Sequence, residues 1–317
     1  MHGRTYAERV LHQWRDLAHG DPSQVPPVSV SALVTEWRLE FWPLLALATV
    51  VLAYALPVRA LRRRGDHWSG WRSASFLAGG CGAIALATLS PLAAYDTSLL
   101  SVHMVQHMAL SMIAPVFLAL GAPVTLWLRA LQPAHPRPRR MLLAVMHSRP
   151  ARVLTFPPVA FGLFVVTPWA LYFSGWYEAT LRSAPLHELT HLHFILVGAL
   201  FCWPLVGLDP VPGRVPHGFR LLTIFLTLPF HAFLGISIMG ATTLIAGDYY
   251  LGLDRDWPPT VEADQQLAGA LLWGSGDLVG LLLFGVLFVQ WVRASQREAA
   301  REDRRLDRLE RLRRADD

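Results

Sequence analysis

The sequence contains no lysine; all 28 of its basic side chains are arginine. With abundant alanine, leucine, glycine and proline, this is the codon bias of a GC-rich bacterial genome. Cysteine is nearly absent. Cys81 and Cys202 lie in separate apolar runs, which excludes a disulfide framework and a zinc-finger spacing. Charge is scarce too: 16% of residues are charged, 53% are hydrophobic, and the mean hydropathy is +0.34. That balance excludes an ordinary soluble domain and points to a polytopic membrane protein. Glycine-rich phosphate loops, nucleophile elbows, basic nucleic-acid patches and long internal repeats are all lacking. No nucleic-acid partner is expected. The N-terminus shows no basic-then-apolar signal peptide, and the first long apolar run begins near Leu39.

Seven apolar runs, each close to the ~20 residues a bilayer span needs, are present. They fall at roughly 39–58, 74–93, 98–120, 153–173, 187–207, 219–246 and 266–292. Val124 to Leu131 is too short to span and is expected at the interface. Trp37, Trp42, Trp176, Tyr177, Tyr249 and Tyr250 stand at run ends, as interfacial aromatics do. Residues 1–38 form an extracytoplasmic N-terminal segment. Its stripe of Tyr6, Val10, Trp14 and Leu17 fits a surface-lying helix or a mobile tail, ended by Pro22, Pro26 and Pro27. Residues 39–292 form the membrane domain. Residues 293–317 are an arginine-rich tail in which only Leu306, Leu309 and Leu312 make a stripe. It reads as a solvated helix or a disordered tail, with anionic lipid or a partner as the other reading.

Arginine placement orients the chain. The loop after the first span holds Arg59, Arg62, Arg63, Arg64 and Arg72. The loop after the third holds Arg129, Arg137, Arg139, Arg140, Arg149 and Arg152, and that after the fifth holds Arg214 and Arg220. The loop after the sixth carries Asp248, Asp254, Asp256, Glu262 and Asp264 against Arg255 alone. Positive charge stays inside. The fold class is therefore all-α, a polytopic membrane protein of seven transmembrane helices. Its N-terminus is outside, its C-terminus is cytoplasmic, and it is a multi-pass protein of the bacterial plasma (inner) membrane.

His103 and His107 begin the third span, four residues apart and so on one face. His187 and His191 begin the fifth with the same spacing. Both spans enter from outside: His103 and His107 lie about 6–12 Å below the outer end at ~1.5 Å per residue, and His187 and His191 fall in the same outer layer. The seventh span enters there too, at Asp264; Asp96 and Glu188 are close in level. Ionisable groups inside a membrane span are functional candidates. His103, His107, His187, His191 and Asp264 are thus candidate metal ligands. Imidazole suits copper, zinc, iron or nickel, so the donors do not choose the metal. A lone histidine, by contrast, is ordinarily a packing residue. Met104, Met108 and Met112 run beside the histidines, either as soft ligands for cuprous copper or as gap-filling core. His193 points elsewhere. Cys81 and Cys202 fall in inner halves of their spans. His231 and Asp277 lie deeper, as a relay or a buried pair with no assigned role.

Three stretches carry a family resemblance: HMVQHMALSMIAPVFLALGAPVTLWLRAL (103–131), LRSAPLHELTHLHFILVGALFCWPL (181–205) and DQQLAGALLW (264–273). The chain resembles the bacterial CtaG family of multi-span cytochrome c oxidase assembly factors, as distinct from the single-span copper protein of that name. The resemblance covers about residues 75 to 290. One departure is Leu272, where the family more often has methionine. The resemblance implies a membrane assembly factor for haem–copper oxidase that supplies or inserts copper. Its implied partners are the oxidase large subunit, extracytoplasmic copper chaperones and the lipid bilayer. No catalytic role is implied.

Two other readings stay open. One is a membrane-embedded zinc-dependent hydrolase, like the seven-span ceramidase-like and adiponectin-receptor-like proteins. It needs three protein ligands and a water. The other is a copper permease, which needs ligands across the whole membrane. Orientation is tested with a reporter fused after Arg64: it should be active only in its cytoplasmic form. Activity confined to the outside would reverse the topology.

Overall fold

The computed structural model describes residues 25–131, 136–210, 216–253 and 255–316. Tyr6, Val10, Trp14, Leu17, Pro22, Arg214 and Asp254 lie outside these residues, as do the side chains of Leu309 and Leu312. The described residues are helical, with no strand among them. The main helices are α1 (Phe41–Arg63), α2 (Gly70–Tyr95), α3 (Leu100–Leu120), α4 (Pro157–Tyr172), α5 (Trp176–Arg182), α6 (Ala184–Val206), α7 (His217–Met239) and α8 (Val261–Asp316).

Six of these are long and apolar enough to cross a bilayer. The pair α4 and α5, bent by 68° between Tyr172 and Trp176, makes seven if the two count as one broken span and leaves six if they form a re-entrant segment. α4 has only 16 residues, about 24 Å at ~1.5 Å per residue, short of a ~30 Å hydrocarbon core. With six such helices and this bent pair, an all-α multi-pass membrane fold is what this sequence makes. The short segment expected after the third span is a helix of its own, Pro123–Ala130. The tail is helix: α8 runs unbroken for 56 residues.

Two spans contain wide turns that apolar periodicity does not announce. α2 has a π-helical stretch at Ser75–Cys81 and α3 one at Ala109–Ile113, immediately after His107 and Met108. Such turns shift the hydrogen-bond ladder by one residue and re-aim the side chains beyond them. The second sits against Gly198 of α6: a Cβ built there would be 2.1 Å from the Ser111 carbonyl oxygen. α7 and α8 meet through Gly235 and Gly269 in the same manner, each facing the other's carbonyl. α1 is anchored through Tyr54, whose hydroxyl donates to the Gly121 carbonyl at 2.9 Å.

The aromatic expectation divides. Trp37 and Trp42 are exposed, as interfacial residues should be. Tyr177, Tyr249 and Tyr250 are buried in the main core instead. The Tyr177 and Tyr250 hydroxyls bond each other at 2.7 Å. A position at the end of a span fixes depth, not direction, and these rings point inward.

Gly198→Ala should move α6 off α3. Overpacking of this kind costs about 1–3 kcal/mol. A fall of several degrees in the apparent melting temperature of the purified protein is expected; an unchanged value would mean that the helices are not this close.

Candidate metal centre

α3 begins at Leu100 with its first amide groups unpaired, as every helix does. The residue before it, Leu99, supplies no side-chain cap. The cap comes from α8. Asp264 Oδ2 accepts from the Leu100 amide at 2.6 Å, and Oδ1 accepts from the Ser101 amide at 3.3 Å and from the Ser101 hydroxyl. A carboxylate at a helix N-terminus is favoured by the dipole as well. The next residue, Gln265, accepts from the Ile245 amide at 2.8 Å and donates to the Ile238 carbonyl at 3.2 Å. Together Asp264 and Gln265 fix α3 and the loop after α7 to the start of α8. Both oxygens of Asp264 are therefore engaged with α3, and the carboxylate that faces the histidines is Asp96.

Asp96, His187 and His191 bring one donor atom each to within 4.8 Å of one another. Asp96 Oδ2 is 3.6 Å from His187 Nε2 and 3.8 Å from His191 Nε2. These distances are too long for good hydrogen bonds. They suit an ion between the atoms: two donors each about 2.1 Å from a metal lie ~3.4 Å apart at a tetrahedral angle and ~4.2 Å apart at most. All three residues are buried, with Asp96 only 2% exposed.

His103 lies beside them, with its ring centroid 6.1 Å from that of His187. It is fully buried, and neither ring nitrogen has a hydrogen-bond partner among the described residues. A buried polar group without a partner is costly, which makes this ring a candidate for binding a ligand. The Tyr177 ring lies 4.8 Å from it, centroid to centroid. His107, one turn deeper, is engaged: its Nδ1 and the Tyr172 hydroxyl are hydrogen-bonded at 2.9 Å. The four histidines are thus neighbours: His187 and His191 face Asp96, His103 lies beside His187, and His107 is one turn deeper on α3.

Three further residues belong to the site by contact. Gln106 bonds His191 Nε2 at 3.0 Å. Tyr172 holds His107, and Glu188 places Oε2 3.8 Å from His191 Nδ1. A glutamine inside an apolar helix between two histidines is the one signal in the sequence that could have found Gln106. Tyr172 and Tyr177 come from the bent span and had no such signal.

The remaining candidates lie apart. His193 Nε2 is 3.4 Å from the Thr167 hydroxyl. His231 Nδ1 donates to the Thr227 carbonyl at 3.2 Å, and Asp277 Oδ2 accepts from Trp273 Nε1 at 2.8 Å. Met104, Met108 and Met112 are buried in the main core. Cys81 and Cys202 are buried and reduced.

Fold and site together define a multi-pass helical membrane protein with a buried histidine–carboxylate cluster at one end of its bundle. The family model described as cytochrome c oxidase caa3 assembly factor (Caa3_CtaG) matches residues 52–294, and the chain belongs to that family. An uncharacterized protein of Mycobacterium bovis is 38% identical over 287 residues, which is 89% of this chain and 43% of that protein. One of Mycobacterium tuberculosis matches with the same figures, and one of Mycobacterium leprae is 37% identical over the same length. The chain thus spans less than half the length of the curated relatives it matches. No solved structure matches it significantly.

Asp264→Ala should uncap α3 and leave two buried amides unpaired, at a cost of about 2 kcal/mol or more. The apparent melting temperature should fall in the protein without added metal. A stability equal to wild type would show that the clamp is dispensable.

Proposed function

We propose that the protein is an assembly factor for haem–copper oxidase that binds copper in this cluster and passes it to the oxidase large subunit. The observation that carries the reading is the spacing of Asp96, His187 and His191, set for an ion rather than for mutual hydrogen bonds. His103 supplies a fourth donor with no competing partner. His107 stands behind as the next nitrogen along α3. Asp264 does not ligate in this account; it sets the level of His103 and His107 by holding the start of their helix. Copper is the cargo this reading assigns because the matching family is described as a cytochrome c oxidase caa3 assembly factor; the donors alone would take zinc equally.

The arginine count puts the cluster at the outer face, where copper from extracytoplasmic chaperones would reach it. The hydrolase reading requires a water beside three protein ligands. The permease reading requires donors beyond the cluster. His231 and Asp277, the candidates for them, bond to Thr227 and Trp273 of their own helices.

Elemental analysis of protein loaded with copper tests this. His187→Asn and Asp96→Asn should each weaken binding more than ~100-fold, since loss of an outer partner alone costs ~10–100-fold. Cys81→Ala and Cys202→Ala should keep their copper. In cells the two ligand variants should accumulate normally while oxidase activity falls. Equal metal in wild type and an Asp96→Asn/His187→Asn double variant would end the shared-site reading, and lipid hydrolysis by the zinc-loaded protein would favour the hydrolase.

A further inference from the structure

His191 stands between two side chains that compete for its ring. On one side is Gln106. Its Nε2 donates to the Ala87 carbonyl at 2.9 Å. That carbonyl has no helical donor four residues on, because the residue there is Pro91. A carbonyl only accepts, so the amide nitrogen of Gln106 is committed to it and the amide oxygen must face His191. That oxygen lies 3.0 Å from His191 Nε2, so Nε2 is the donor and carries the ring proton. A protonated Nε2 cannot ligate a metal. Yet Nε2 is the nitrogen that faces Asp96 Oδ2, at 3.8 Å.

On the other side is Glu188. His191 Nδ1 is buried and has no hydrogen-bond partner among the described residues. Glu188 Oε2 is 3.8 Å from it, and that side chain is 31% exposed. Closing the gap to a hydrogen bond of about 2.8–3.2 Å takes only a small rotation of a flexible side chain.

We propose that His191 changes hydrogen-bond partner when the site fills, with Gln106 as the positioning residue of the empty state and Glu188 as that of the loaded state. The inference rests on the metal-binding reading of the cluster. In the empty state Nε2–H donates to Gln106 Oε1. In the loaded state the Nε2 lone pair binds the ion, and Nδ1–H donates to Glu188 Oε2. One proton leaves Nε2 and one is taken up at Nδ1, so the ring stays neutral and the exchange is proton-balanced. The partly exposed Glu188 connects that nitrogen to water. A carboxylate accepting from the far nitrogen of a metal-bound histidine fixes its tautomer and strengthens it as a ligand. Gln106 does the reverse: it stabilises the tautomer that the metal cannot use.

The two residues should therefore act with opposite sign. The full chain in detergent is titrated with cuprous copper against a chromophoric chelator. Glu188→Gln should bind ~10–100-fold more weakly, and Glu188→Asp should recover most of the loss. Gln106→Leu should bind about fivefold more tightly, the worth of one neutral hydrogen bond. Binding by Glu188→Gln as tight as wild type, or by Gln106→Leu weaker than wild type, overturns the exchange. Should Gln106→Leu not accumulate, nitrogen NMR of the histidine-labelled wild type decides. Protonation of His191 at Nε2 when empty and at Nδ1 when loaded supports it; the same nitrogen protonated in both states refutes it. A wild type that takes up no copper fails the metal reading itself, whereas metal uptake without the tautomer change fails this inference alone.

Discussion

The grip of Asp264 on the first turn of α3 is the contact that the rest of the site depends on. A bilayer offers no water to satisfy open amides, so they must find partners inside the protein. α3 begins without a cap of its own and takes one from α8. That single carboxylate fixes the height of α3 against α8, and with it the heights of His103 and His107. Gln106 then fixes α3 against α2 through Ala87 and against α6 through His191. The bond between His107 and Tyr172 adds α4.

The other end of the bundle uses the same device. The chain turns through a left-handed Ala122 into the short helix Pro123–Ala130. Asp209 accepts from the Val124 amide at 3.2 Å, the Thr125 amide at 2.8 Å and the Trp203 indole at 2.9 Å. α3 with its trailing helix is thus held at both ends by a carboxylate from a distant part of the chain. Between the clamps, the π turn at Ala109–Ile113 and the bare surface of Gly198 let α6 approach.

Much of this was legible in the sequence, and the features that were not share one cause. Apolar runs report where the chain can cross a membrane, so six long helices were readable from composition, while the bend that breaks the run at 153–173 was not. Four-residue spacing reports which side chains share a face, so the pairing of His103 with His107 and of His187 with His191 was readable too. Both signals give depth along a helix. Neither gives the direction in which a side chain looks around the bundle. Asp96 and Asp264 have similar depth, but one faces the histidines and the other faces the end of α3. Tyr177, Tyr249 and Tyr250 likewise share the depth of an interface and point away from it. Tertiary contacts between elements far apart in sequence settle direction, and a single sequence does not print them.

The cluster and the clamps differ in how their buried polar atoms are spaced. In a network built for stability, buried donors and acceptors close on each other, because each unmet group costs about 1–3 kcal/mol. The clamps at Asp264 and Asp209 do close. At the centre the pattern is inverted. Asp96 stays 3.6 Å from His187 and 3.8 Å from His191 while the groups around them are tightly bonded, and His103 has no hydrogen-bond partner among the described residues. Spacing of this kind is what the proposed metal binding needs: a cation between the donors would take lone pairs from each and offset the buried carboxylate's charge.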